Sequence, residues 1–458
     1  MSSRKIDIFI AAIALVLFAA TNLPWQLDDY DQAKQAFTSF EMVKEGHWLY
    51  QRTPHERVAT KPPLVGWISA ATYEVTRSWD VAWRLPSLGA AIALSILLWR
   101  AGNVYGPVSG LIAFSAFAFN LLTPRLASLV RTDMPLALVV FAIGLTIWNH
   151  IRERREWSAG DQLSIFALLT AAMLIKGPIV YAFLLPAVVI FWWRGERIPW
   201  WPWLASLGIF LMWVLGGCLL VPQFYEQVVM REFIGRFGET IHRPQPIYFY
   251  LPHLLHKFAP WSLLLIALAI VDLRTRIKLD GLKPSSLRLI GPETLWLICW
   301  SLGGLMVMSL IPSKRVDRIF PVIPPLCLLL AAQVRPRFYR WAAVTLLLSI
   351  LFAGGYSAFK VYTGYRDHRD ALVRLGEVAR REATSNHWRY EVVDAPDEGL
   401  LLYCDRVHFV RRNEAIAKWN KDEVDGLIVP ADQTGLFADA TAILNDVGGR
   451  YSLIAHGK

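Results

Sequence analysis

IDIFIAAIALVLFAATNLPWQLDDYDQAK, residues 6–34, joins two unlike chemistries without a linker. Ile6 to Leu23 is apolar over the length that crosses a bilayer, about 20 residues, and it follows Arg4 and Lys5. Asp28, Asp29 and Asp31 come directly after it. The run is too long for most signal-peptide cores, and no small-x-small cleavage pattern precedes Pro24-Trp25. It therefore reads as a retained first span. Carboxylates at the mouth of such a helix are either an acidic, solvated helix start or the working end of an enzyme.

The rest of the chain supports a membrane setting. Of its 458 residues, 55% are hydrophobic and only 18% charged, with mean hydropathy +0.36; a soluble chain carries roughly a quarter charged residues. Eleven apolar runs are candidate spans: about 6–24, 82–100, 107–123, 134–150, 162–176, 178–193, 200–221, 252–272, 291–311, 319–333 and 341–358. Placing the N-terminus in the cytoplasm puts Arg4, Lys5, Arg100, Arg152, Arg154, Arg155, Arg194 and Arg197 in inside loops, with LRTRIKLDGLKPSSLR and RPRFYR. That satisfies the positive-inside rule, and the reverse orientation violates it at nearly every loop. The formal charge of +10 is thus explained by membrane topology, and nucleic acid is not an expected partner. Cys218, Cys299, Cys327 and Cys404 show no paired spacing, so neither a disulfide framework nor a zinc knuckle is implied.

The segments assigned to the outside differ in character. In AKQAFTSFEMVKEG, Ala33, Phe37, Phe40 and Val43 recur at helical spacing, predicting an amphipathic helix on the membrane surface. Lys61-Pro62-Pro63 opens a short apolar helix, Leu64 to Val75; a long loop spans about 222–251. Beyond residue 359 the composition changes. YRDHRDALVRLGEVARREA predicts a charged amphipathic helix, and YEVVDA, LLLYCD, VHFV and DGLIVP read as short strands. The expected organisation is a mainly α, polytopic membrane domain over 1–358, with 25–81 as its first outer loop, followed by a small extracytoplasmic α/β domain over 359–458.

This topology sorts the charged residues. Asp28, Asp29, Asp31, Lys34, Lys61, Arg131, Asp133, Lys176, His242, Arg243, Lys314, Arg315 and Arg318 all fall at or near the outer face. Several sit at span ends, where a charge is costly unless paired or hydrated. Singly, each has an ordinary explanation: Asp133 as a helix start, Lys176 as a snorkelling lysine before Gly177-Pro178, PSKRVDR as a solvated loop. Together they bring carboxylates and many cations to one face of an apolar bundle. Cations there can hold a phosphate whose lipid tail lies among the spans. A carboxylate can deprotonate a hydroxyl that attacks the carbon bearing that phosphate, while the cations stabilise the departing charge. No phosphate-binding glycine loop or dinucleotide fingerprint competes with this reading.

The ordered motifs resemble the polytopic GT-C glycosyltransferases, above all the bacterial lipid A aminoarabinose transferases and their protein O-mannosyltransferase relatives. They are DQAKQAFTSFEMVKEGHW from Asp31, TKPPLVGW from Thr60, WRLPSLGAA from Trp83, RTDMPL from Arg131, IKGP from Ile175, HRPQPIYFYLPHLL from His242 and PSKRVDRIFPVIPP from Pro312. The resemblance implies a GT-C fold with about eleven transmembrane helices and outer juxtamembrane helices. It implies Asp31 as the acidic catalytic residue and Asp133 as the second acid of the site. Lys61 resembles the lysine that holds the polyprenyl phosphate. Lys34, Lys176, Arg243, Lys314 and Arg318 are further phosphate-binding candidates, and Arg131, His242 and Arg315 line the site. The implied donor is a polyprenyl-phosphate-linked sugar, and the implied acceptor a lipid, glycan or protein, in the cytoplasmic membrane.

Three positions depart from the family pattern. Gln32 replaces the Glu of an Asp-Glu pair, and Arg318 replaces a Tyr. Thr60 replaces a Glu that takes part in metal binding in aminoarabinose transferases, which argues against a divalent metal there. Two other functional classes remain open on sequence grounds: a transporter or flippase for a polyprenyl-linked substrate, and a noncatalytic assembly subunit. Transporters often carry twofold internal repeats, and none is detectable here.

Overall fold

The computed structural model describes residues 3–27, 30–235, 244–280, 290–446 and 448–456. Asp28, Asp29, His242 and Arg243 therefore lie outside the described residues. The chain divides into two compact units. One comprises residues 1–21, 60–65 and 84–357; the other comprises 22–59, 66–83 and 358–458.

The helices in chain order are α1 (Ser3–Thr21), α2 (Tyr30–Glu45), α3 (Leu64–Thr76), α4 (Trp79–Gly102), α5 (Pro107–Ala118), α6 (Thr123–Ser128), α7 (Asp133–Glu153), α8 (Ala159–Lys176), α9 (Ile179–Trp193) and α10 (Trp201–Leu220). A π-helical stretch, Tyr225–Ile234, leads towards α11 (Tyr250–Lys257), α12 (Trp261–Asp280), α13 (Pro292–Leu310), α14 (Ile323–Gln333) and α15 (Tyr339–Arg366). The C-terminal part contains α16 (Ala371–Asn386), β1 (Tyr390–Val392), α17 (Gly399–Tyr403), α18 (Arg412–Asn420), β2 (Gly426–Pro430), β3 (Ala440–Asn445) and β4 (Tyr451–His456).

Each of the eleven expected runs falls on helix. Among the described residues, seven helical segments are long and apolar enough to cross a membrane, or eight if the bent pair α11–α12, turned by 104°, forms one span. The expected count of eleven is therefore not fixed by length and hydropathy. The shorter α5 buries Ile112, Ala113, Ala116 and Phe117, so its backbone is sheltered by neighbouring helices, the condition under which short membrane segments are tolerated. Lipid-facing surfaces are equally plain: Leu211, Met212, Leu215 and Leu219 on α10 and Leu347, Leu351 and Phe352 on α15 are exposed. Exposed apolar faces of this extent mark contact with a membrane or partner.

Within the first unit α8 packs against α7 and α10, and α9 against α13. α7 and α13 approach closely at Gly144, whose carbonyl accepts from Trp296 Nε1 at 3.1 Å. A Cβ at Gly144 would lie 2.3 Å from Trp300, so a larger residue there displaces that indole. α8 starts at a capping box, Ser158 with Asp161, the two-way arrangement that satisfies orphan helix amides. It stops at Lys176 because Gly177 takes φ +73° and Pro178 cannot continue the ladder.

The second unit packs around α2. The predicted face is correct at Ala33, Phe37 and Phe40, each at most 2% exposed. The expected one-sided surface helix is not what forms: every residue from Ala36 to Met42, including Thr38, Ser39 and Glu41, is buried. Gly66 of α3 approaches Met42, and Trp79 meets Phe40 edge-on at 5.4 Å. α17, in the same unit, also packs on α2.

The C-terminal sheet has strand order β1-β2-β4-β3, with β1 parallel to β2 and the other pairs antiparallel. Its core contains Val393, Trp419, Leu427, Val429, Phe437 and Ile454. α16 matches the predicted charged helix and buries Leu372, Leu375, Ala379 and Ala383 at three- and four-residue intervals. YEVVDA and DGLIVP contain β1 and β2 as predicted. LLLYCD, read as a strand, contains helix α17 instead, because a short run buried throughout carries no periodicity to separate the two states. VHFV supplies only a bridge, Val410 to Val393.

Candidate active site

Two helix ends create a buried ion pair in the first unit. α7 begins at Asp133 and α8 ends at Lys176, and the two helices pack side by side. The Lys176 ammonium donates to Asp133 Oδ1, with both side chains 9% exposed. The Gly-Pro break after Lys176 thus fixes where this cation sits. Arg131 and Lys61 also lie within electrostatic reach of Asp133. One buried carboxylate therefore faces three cations.

Neighbouring carboxylates hold two of those cations. Arg131 Nη1 donates to Asp317 Oδ2 at 3.0 Å, and Arg125 Nη1 donates to Asp317 Oδ1 at 3.3 Å. Ser87, within the WRLPS motif, donates to the carbonyls of Leu129 and Arg131 at 2.7 and 3.3 Å, bracing the turn that presents Arg131. Lys61 Nζ lies 3.5 Å from Glu232 Oε2, and Thr60 Oγ1 donates to Glu232 Oε1 at 2.9 Å. Asp317 and Glu232 were not among the expected site residues. Asp317 stands inside PSKRVDR, where the surrounding cations drew attention from it. Glu232 comes from the π-helical stretch, 172 residues from Thr60, with no local pattern to announce it.

Two further candidate cations of the first unit, Lys314 and Arg318, bond loop residues. Lys314 is buried and donates to the Gln245 carbonyl at 2.9 Å; desolvation pushes its ammonium below the ordinary lysine range. Arg318 donates to the Ser313 carbonyl at 2.7 Å and to Ser313 Oγ at 3.2 Å. Arg315 precedes the 3₁₀ turn Val316–Val322.

In the second unit, Asp31 occupies the first turn of α2, with Lys34 one turn further on. Glu398, at the start of α17, is 5% exposed, and among the described residues no hydrogen bond reaches its buried Oε2. Lys34, Arg57 and Asp31 are its charged neighbours. Burial raises the Glu398 carboxyl above its ordinary range, Asp31 adds to that, and Lys34 and Arg57 oppose it. α17 packs on α2: a Cβ on Gly399 would lie 3.8 Å from the Cβ of Ala33 and 3.0 Å from the carbonyl of Leu27, just ahead of α2. Sequence reading missed Glu398 and Arg57, which lie far from Asp31 along the chain.

The position where the resemblance places a metal-binding Glu holds Thr60. Its hydroxyl is donated to Glu232, and that carboxylate faces Lys61. Lys61, Arg131 and Lys176 all act on the nearby Asp133, and a divalent cation is repelled by such a set. Among the described residues no histidine, cysteine or carboxylate trio gathers at Thr60. The residues present do not fit a metal there.

The profile of the dolichyl-phosphate-mannose-protein mannosyltransferase family matches residues 60–221, the stretch containing Lys61, Asp133 and Lys176. A Shewanella sediminis undecaprenyl phosphate-alpha-4-amino-4-deoxy-L-arabinose arabinosyl transferase is 25% identical over 377 residues, 79% of this chain and 66% of the relative. The protein of the same name from Aeromonas hydrophila is 27% identical over 492 aligned positions, covering 92% of this chain and 79% of the relative. Among solved structures, the ArnT protein of Cupriavidus metallidurans bound to undecaprenyl phosphate superposes over 100% of both chains with TM-score 0.73 at 18% identity.

The chain has the GT-C glycosyltransferase fold. Apo ArnT from the same organism also superposes over both full chains, with TM-score 0.65. The GT-C assignment agrees with the fold implied by the ordered motifs. This GT-C chain spans 66% and 79% of the lengths of the two relatives above, and sequence identity throughout is modest.

Proposed function

We propose that this protein is a membrane glycosyltransferase that takes a sugar from a polyprenyl-phosphate donor and transfers it to a lipid, glycan or protein hydroxyl. The observation carrying this reading is the convergence of Lys176, Arg131 and Lys61 on Asp133 in a GT-C bundle. Relatives named as undecaprenyl phosphate-linked arabinosyl transferases support the donor class. Lys61 holds the donor phosphate, with Lys176 and Arg131 contributing positive field. Asp133 keeps these cations in place and neutralises part of their charge between turnovers. Lys34, Arg243, Lys314 and Arg318 are further phosphate-binding residues in this proposal, and His242 and Arg315 line the site.

Asp31 removes the proton from the acceptor hydroxyl. The new C–O bond forms at the anomeric carbon as the bond to phosphate oxygen breaks, and polyprenyl phosphate leaves with both electrons. Cations near the leaving group act where negative charge grows, which is where electrostatic preorganisation contributes most. Arg131 suits this task, since a guanidinium offers paired donors to phosphate oxygens. The proposed orientation is N-terminus in the cytoplasm, with the site and the 359–458 region outside.

A proteoliposome assay separates this reading from a flippase. Donor lipid and acceptor are supplied on the same side, and products are resolved by mass spectrometry. A transferase releases free polyprenyl phosphate and glycosylated acceptor together. Movement of intact donor lipid without its consumption would instead establish transport.

A further inference from the structure

We propose that Glu41, Glu45 and His47 form a divalent-metal site of the zinc type at the C-terminal end of α2. The sequence EMVKEGH builds it. Glu41 and Glu45 are four residues apart and share a helix face. Gly46 then adopts φ +80°, the left-handed conformation that ends helices at glycine, and its amide returns to the Met42 carbonyl at 3.0 Å. This turn folds His47 back over the last helical turn. His47 Nδ1 contacts Glu41 Oε1 and lies 3.8 Å from Glu45 Oε2. One donor atom from each residue falls within 4.8 Å of the others. Tetrahedral zinc with bonds of about 2.0–2.1 Å sets its ligand atoms roughly 3.3 Å apart, so small side-chain rotations suffice to seat an ion.

Glu41 supplies an independent reason to expect one. Its side chain is 1% exposed, yet among the described residues no hydrogen bond reaches its buried Oε2. A carboxylate buried with an open oxygen is costly unless a cation or donor completes it. The surrounding charge points the same way. His408 Nε2 bonds Glu45 Oε1 at 2.6 Å, and His408 Nδ1 lies 3.6 Å from Glu56. The network thus sets carboxylates from Glu41, Glu45 and Glu56 against imidazoles from His47 and His408. Lys44, the lysine beside it on α2, is paired with Asp405 at 2.9 Å.

One imidazole and two carboxylates are a donor set that zinc accepts, leaving a fourth position for water. His408 on the far oxygen of Glu45 then orients that ligand from outside the coordination shell. The ion fastens the end of the helix whose first turn carries Asp31. This site does not involve Thr60, and it does not depend on the proposed transfer reaction.

Untagged full-length protein in detergent, equilibrated with Zn²⁺ or Co²⁺ and freed of loose ions, tests the site by metal analysis and visible absorption. Wild type is expected to retain about one zinc per chain and to give Co²⁺ ligand-field bands. His47→Asn and Glu45→Gln, both at exposed positions that do not threaten folding, are expected to weaken retention by more than about tenfold and to lose the bands. Equal metal content and equal Co²⁺ spectra in wild type and both variants would overturn the proposal, as would a wild type that holds no metal.

Discussion

Thr60 Oγ1 and Lys61 Nζ meet the two oxygens of one carboxylate, Glu232, at 2.9 and 3.5 Å. The acid that the family resemblance implies immediately before Lys-Pro-Pro is Thr60 in this chain. A carboxylate reaches the same spot from a distant part of the chain. Lys176 and Arg131 face Asp133 and Asp317, whose side chains are 9% and 8% exposed, whereas Glu232 is 19% exposed. In the proposed reaction, Glu232 is therefore the counter-ion that a donor phosphate would displace most readily.

Glu232→Gln removes that competing anion from Lys61. Its affinity for undecaprenyl phosphate should rise by about tenfold, equivalent to ~1.4 kcal/mol, as read by tryptophan fluorescence titration in detergent. Lys61→Met should lower affinity by at least as much. A weaker-binding Glu232→Gln would show instead that Glu232 holds Lys61 in its binding position.

The Asp133–Lys176 pair should be non-additive under mutation. Removing one partner strands a buried charge, a loss of about 3–5 kcal/mol. Asp133→Asn and Lys176→Met should each lower the thermal unfolding temperature measurably in detergent. The double variant Asp133→Leu with Lys176→Met should recover most of that stability, since a buried ion pair often matches an apolar pair of similar volume. Transfer activity should not recover, because the positive field at the phosphate is reduced.

Glu398 predicts a pH dependence of folding. Burial raises its folded-state pKa above the ordinary 4.5, so the unfolded chain releases this proton first as pH rises. Below about pH 4.5 the group is protonated in both states and contributes no difference. Above it, native wild type carries a growing penalty until the folded carboxyl also ionises. Glu398→Gln lacks the penalty, so its stability advantage over wild type should open as pH rises from 4 to 7. Thermal melts of both proteins across that range measure the gap.

Gly144 tests helix packing apart from the site. A Cβ there would fall 2.3 Å from the Trp300 ring. Gly144→Ala should therefore destabilise the bundle by roughly 1–3 kcal/mol, read as a lower unfolding temperature. Gly208, with no atom near its Cβ position, should tolerate alanine.

Membrane helices were legible because apolar length is a signal written in consecutive residues. The turn at Gly177-Pro178 was legible for the same local reason, and it determines where Lys176 ends its helix. Strands β3 and β4 went unread. ATAILN is mostly exposed along the sheet edge, and YSLIAH is buried on successive residues, so neither shows clean alternation. The charged residues were visible as candidates but their pairings were not. Lys176 and Asp133 are 43 residues apart, Arg131 and Asp317 186. Glu232 and Glu398 matter through neighbours that only the folded chain supplies.

The central claim is chemical transfer driven by Asp31 from a polyprenyl-phosphate donor. Purified wild type and Asp31→Asn, reconstituted with polyprenyl-phosphate-linked sugar and an envelope lipid extract as acceptor, are compared by mass spectrometry. Wild type should release free polyprenyl phosphate in step with glycosylated acceptor, and Asp31→Asn should release neither while melting at the wild-type temperature. Equal product from both proteins would contradict the assignment of Asp31.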